Sequence, residues 1–119
     1  MTDDEIYLQD IAENIAVIRR YLADADSVAP DTAIPSDTMT QDAVFRRMSL
    51  VTRVAQKLSP SIRTHYAEAQ WHELDELHEA LLHGYLHPDT FRVWRMIAAQ
   101  LPELDQFVTE ELRRPFMRE

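Results

Sequence analysis

The stretch Trp71-His72-Glu73-Leu74-Asp75-Glu76-Leu77-His78-Glu79-Ala80-Leu81-Leu82-His83-Gly84-Tyr85 decides the fold. Trp71, Leu74, Leu77, His78 and Leu81 recur at spacings of three and four, the period of a helix with one apolar face. The spacing predicts a helix beginning near Trp71 and ending where Gly84 can take a left-handed conformation. Gly84 is the only glycine in 119 residues. Hairpins usually need Gly or Asn at their turns, and the chain has few runs of alternating β-branched residues, so the sequence predicts an all-α protein.

The same period appears on both sides of this stretch. Upstream, Thr40 offers a hydroxyl as N-cap for a helix with Val44, Met48, Val51, Ala55 and Leu58 on one face, ending near Leu58. On an ideal wheel Arg46, Arg53 and Lys57 lie opposite that face, while Arg47 falls on its flank beside Val54 and Leu58. Ser59-Pro60 reads as an N-cap followed by a first-turn proline, opening a short turn through Ile62 and Tyr66. The first helix is expected from Thr2 or Asp3 to Leu22, with Leu8, Ile11, Ile15, Ile18 and Leu22 as its core stripe. Residues 23–39 carry Pro30 and Pro35 among Asp, Ser and Thr with no periodic apolar face, and read as a flexible polar connector. Downstream of His87-Pro88-Asp89, a helix with Phe91, Trp94, Ile97, Ala98, Leu101, Leu104 and Val108 is expected, kinked or locally broken by Pro102. The sum is a four- to five-helix bundle forming one domain over residues 1–119.

Composition narrows the function classes. No apolar run reaches the roughly 20 residues that span a bilayer, and Asp3, Asp4 and Glu5 stand where a secretory signal would be positive, so a cytoplasmic protein with no membrane partner is expected. The absence of cysteine removes disulfides, thiolate zinc sites and cysteine nucleophiles together. Net charge is -9, yet residues 43–66 hold no carboxylate and do hold Arg46, Arg47, Arg53, Lys57 and Arg63. Residues 67–91 reverse this, with six carboxylates and no Lys or Arg. Such blocks can pair within a dimer or with a partner.

Four histidines, His72, His78, His83 and His87, raise a metal question, but His72 has no second histidine at the helical offset of a zinc pair. No metal site and no cofactor are expected. There is also no Gly-rich loop to cradle phosphates, so any nucleotide would come with a partner. His78 lies in the apolar stripe, where a hydrogen-bonded core histidine is the plainer reading. His83 lies about 140° round the helix from His78, beside Gly84, and can project as a general acid or base near neutral pH.

Several segments together resemble a known family: Asp42-Ala43-Val44-Phe45-Arg46, Lys57-Leu58-Ser59-Pro60, Trp71, and Leu81-Leu82-His83-Gly84-Tyr85. In order and spacing they are similar to the HepT-like branch of the HEPN helical proteins, from about Thr40 to Leu112. The resemblance implies a homodimer encoded beside a minimal nucleotidyltransferase (MNT-type) antitoxin. It implies a metal-independent RNA endonuclease with an Arg-x4-His motif, acting on tRNA or mRNA, and AMP transfer to the tyrosine of His-x-Tyr. His83 then matches the motif histidine and Tyr85 the AMP acceptor. His78 stands where the motif has arginine, Glu79 where asparagine is usual, and Arg47, Ser49, Thr52 and Arg53 stand where Asn, Glu, Gly and Glu are usual. His78 cannot grip phosphate with a planar fork as arginine does. The expected site is therefore His83 and His78 as catalytic pair, with Arg47 and Arg46 on phosphate. The rival expectation is a catalytically inactive subunit that binds the nucleotidyltransferase. Trp71, Phe91 and Trp94 are the expected aromatic anchors of the dimer.

Overall fold

The computed structural model describes residues 2–24, 37–83 and 90–114. Five helices follow one another: α1 (Asp3–Asp24), α2 (Thr38–Ala55), α3 (Pro60–Arg63), α4 (Glu68–His83) and α5 (Thr90–Leu112). The described residues contain no strand, and the all-α bundle expected from the sequence is what they form.

Each long helix presents its predicted stripe inward. Leu8, Ile11 and Ile18 of α1, Val44, Met48 and Val51 of α2, Leu77 of α4 and Leu104 of α5 are fully enclosed in one core. α1 packs on α2 and α5, and α4 packs on the same two, so the four long helices close a ring around that core. Cross-contacts give their directions. Asn14 meets Arg47 while Asp4 meets Ser59, and Thr52 meets His78 while Gln56 meets Asp75, so α2 runs antiparallel to both α1 and α4. None of the helices is long and apolar enough to cross a membrane.

The helix ends refine the sequence reading. Asp37, not Thr40, caps α2: its carboxylate accepts from the amides of Met39 and Thr40, and the Thr40 hydroxyl donates to it at 2.6 Å. Those bonds favour the ionised form and hold the Asp37 carboxyl below the ordinary carboxylate range. Ser59 caps α3 as expected, with Pro60 in the first turn. It is itself gripped by Asp4, whose carboxylate accepts from Ser59 N at 2.9 Å and Ser59 Oγ at 2.5 Å, tying the start of α1 to the α2–α3 joint. α1 and α2 both reach into the stretch read as connector, and residues 25–36 lie outside the described residues.

α4 begins at Glu68, three residues before Trp71, and α5 continues through Pro102 without a break. A proline inside a helix costs about 3 kcal/mol. Here Ile97, Leu101, Leu104, Phe107 and Val108 are buried on both sides of it, and that packing offsets the cost. Trp71 and Trp94 are each only 6% exposed. Trp71 stacks edge-on with Tyr66 and Phe107 and donates its indole N–H to Arg63 O at 2.8 Å. Neither tryptophan is available as a dimer anchor; of the three expected, Phe91 alone is solvent-facing, at 58%.

Candidate functional site

The site residues are set by which face of α2 and α4 each occupies. His78 sits at the edge of the α4 core stripe, half-buried, and its Nδ1 shares a hydrogen bond of 2.9 Å with Thr52 Oγ1 across the α2–α4 contact. Thr52 is 1% exposed. The core histidine with a bonded neighbour, read from sequence, is thus present, and its partner is a residue 26 positions earlier.

His83 occupies the last turn of α4 and faces solvent. Its Nε2 lies 3.3 Å from Glu79 Oε2, one turn back, with both side chains about two-thirds exposed. It opens on a shallow groove along α4 lined also by His72, Asp75, Glu76 and Arg92. His72 repeats the arrangement at the other end of the groove, 2.8 Å from Glu76. The groove is therefore rich in carboxylates, with imidazoles at its two ends.

Arg47 is engaged elsewhere. Its Nη1 donates to Asn14 Oδ1 at 3.0 Å, and Asn14, 7% exposed, donates through Nδ2 to Asp10 O at 2.9 Å. Arg47 is half-buried against α1, whereas His78 is bound on the α4 side of α2. The described residues do not bring Arg47, His78 and His83 into one cluster. Arg46 is exposed and makes no ion pair among the described residues, Arg53 is exposed with it on the outer face of α2, and Lys57, exposed just past the end of α2, lies over the Tyr7 ring of α1. Tyr85 lies outside the described residues, so its place beside His83 rests on sequence adjacency. Among the described residues no group of three or more His, Asp or Glu side chains is placed to hold a metal ion.

Three features of this region escape a single-sequence reading. Asn14 is a polar residue inside the α1 core stripe, Glu79 pairs with His83, and Thr52 bonds His78. Thr52 and Glu79 had a signal in the sequence, standing where glycine and asparagine are usual, and Asn14 had none.

The chain is 24% identical over 98 residues to a protein of Thermococcus cleftensis named "Probable ribonuclease HepT", covering 82% of this chain and 86% of that one. It is 23% identical over 78 residues to a protein of Caldanaerobacter subterraneus subsp. tengcongensis named "Putative RNase", covering 66% of this chain and 70% of that one. No solved structure matches it significantly. The family model described as "Ribonuclease HepT-like" matches residues 11–111, from the core stripe of α1 to the end of α5, and the chain belongs to that family.

Proposed function

We propose that this chain is the toxin component of a two-gene toxin–antitoxin module, a homodimeric, metal-independent RNA endonuclease controlled by AMP transfer from a partner MNT-type nucleotidyltransferase. The observation that carries this reading is His83, which faces solvent at the end of α4 with Glu79 behind it, in a chain of a ribonuclease family. A carboxylate beside an imidazole orients the ring for proton transfer.

The reaction needs little more than placed acids and bases. An RNA 2′-hydroxyl loses its proton to a base and attacks the adjacent phosphorus. The bond from phosphorus to the 5′-oxygen breaks, an acid protonates that oxygen, and the products are a 2′,3′-cyclic phosphate and a 5′-hydroxyl. The nucleophile belongs to the substrate. His83 supplies one proton transfer; His78, on the α2 side of α4 and not clustered with it among the described residues, is the second candidate. Arg46 is the exposed cation that meets the phosphate backbone, and Arg47 joins it only if its bond to Asn14 yields. AMP on Tyr85 would place a bulky anion two residues from His83 and block it.

A second reading is favoured by a specific feature. Asp75, Glu76 and Glu79 line the groove beside His83 and repel phosphate, while the phosphate candidate Arg47 and the catalytic candidate His78 already hold protein partners. This suits a catalytically inactive subunit that binds the nucleotidyltransferase. Expression of the chain alone in bacteria separates the two. The toxin reading predicts growth arrest that His83→Ala relieves; the inactive-subunit reading predicts normal growth with both.

A further inference from the structure

Thr52 Oγ1 has three neighbours within hydrogen-bond distance: Met48 O at 3.0 Å, Ser49 O at 3.1 Å and His78 Nδ1 at 2.9 Å. A hydroxyl has one proton and two lone pairs, so it can donate to the carbonyls or to the imidazole and must accept from the other. Threonine in a helix commonly sends its proton back to the carbonyls three and four residues earlier. Both lie in reach here, on a side chain that is 1% exposed and has no room to rotate into water. Thr52 then meets His78 as an acceptor, which requires the imidazole proton on Nδ1.

The other ring nitrogen is free. No described residue bonds His78 Nε2. His78 is half-buried, and Nε2 is not one of the buried side-chain polar atoms left without partners, which are Trp94 Nε1 and Gln100 Oε1. We infer that Thr52 is a positioning residue that holds His78 in its Nδ1–H tautomer and thereby presents an unprotonated Nε2, a proton acceptor of fixed direction, at the surface of the α2–α4 contact. A histidine free in water prefers its proton on Nε2, with the lone pair on the opposite nitrogen. For catalysis the inference rests on the ribonuclease reading, in which Nε2 of His78 takes the 2′-hydroxyl proton.

The test is nitrogen NMR of the imidazole rings in the full chain labelled at histidine, at a pH where the rings are neutral, with His78→Gln identifying the His78 signals. The wild type and Thr52→Ser should show His78 as the Nδ1–H form, and Thr52→Val should move it to predominantly Nε2–H. The wild-type spectrum decides the tautomer even if the valine variant misfolds, and an Nε2–H form there overturns the inference. A valine variant that folds and keeps the wild-type tautomer overturns Thr52 as its cause. In RNA cleavage Thr52→Val should lose about 10- to 100-fold in kcat at unchanged KM, recovered in Thr52→Ser. An unchanged rate alongside His83-dependent cleavage overturns the catalytic role of the positioning. If the spectra come out as expected and the wild type does not cut RNA, the ribonuclease reading fails and the tautomer assignment stands.

Discussion

Arg47 is a phosphate-binding candidate by sequence, and the structure gives it a different employment whose size can be worked out. Asn14 is 7% exposed, and its Oδ1 accepts from Arg47 Nη1 at 3.0 Å while its Nδ2 is held by Asp10 O. Arg47→Met keeps most of the aliphatic stem that packs against α1 and removes the donor. A buried acceptor left without its donor costs about 1–3 kcal/mol. Arg47 is only half-buried, so water can reach part of the vacated volume, and the lower half of that range, about 1–2 kcal/mol, is expected. Asn14→Ala removes the acceptor itself, so in the double variant nothing is left orphaned, and a coupling of about 1 kcal/mol should appear between the sites. Urea unfolding of the wild type, both single variants and the double variant gives that coupling from the four midpoints, provided the slopes agree. A coupling below about 0.3 kcal/mol, the scatter expected of independent sites, would refute the claim that Arg47 is held structurally.

Other expectations follow from the same packing. Leu77 is fully enclosed on the helix that carries His78 and His83, so Leu77→Ala should cost about 3–5 kcal/mol, a fall in Tm of roughly 12–25 °C by circular dichroism; a loss under about 1 kcal/mol would contradict the buried placement of that stripe. Burial, with the nearby carboxylates of Glu103 and Glu73, pushes the Tyr66 hydroxyl up to about 12 from 10.0. The unfolded chain releases this proton first, so the contribution of Tyr66 to stability is complete below pH 10 and is lost as pH rises through about 12. Phenolate absorbance compared with Tyr66→Phe should show that late step, and a residue titrating at the ordinary value would contradict it. With a cognate nucleotidyltransferase, ATP and a divalent metal, intact mass should rise by one AMP, and Tyr85→Phe should abolish the gain; unchanged labelling would put the acceptor elsewhere.

Much of the fold was legible in the sequence because it depends on local period. The stripes of α1, α2, α4 and α5 and the Ser59-Pro60 start of α3 follow from spacing and capping chemistry alone. The misses have the same origin in reverse. Asp37 was absorbed into a polar run because nothing local distinguishes a capping aspartate from a loop aspartate until the helix behind it is seen. Pro102 was weighted by its intrinsic cost without knowing how much apolar surface would be buried on either side. Trp71 and Trp94, expected as dimer anchors, sit in apolar stripes whose period already directs them inward. The site was less legible because it depends on pairs distant in sequence: Asn14 with Arg47, Thr52 with His78, Asp4 with Ser59. Family resemblance points to His83 and Tyr85, but it could not reveal that Arg47 is occupied or that carboxylates flank the groove.

The central claim is that His83 performs proton transfer in RNA cleavage, and one assay tests it most directly: a fluorescent RNA incubated in EDTA with wild type, His83→Ala and His78→Arg side by side. The account predicts cutting by the wild type with 2′,3′-cyclic phosphate ends. It predicts a loss of at least about 100-fold in His83→Ala with helix content unchanged, and a loss in His78→Arg too, because a permanently charged guanidinium cannot take the 2′-hydroxyl proton. Cleavage by the wild type that is indifferent to His83 would contradict the account.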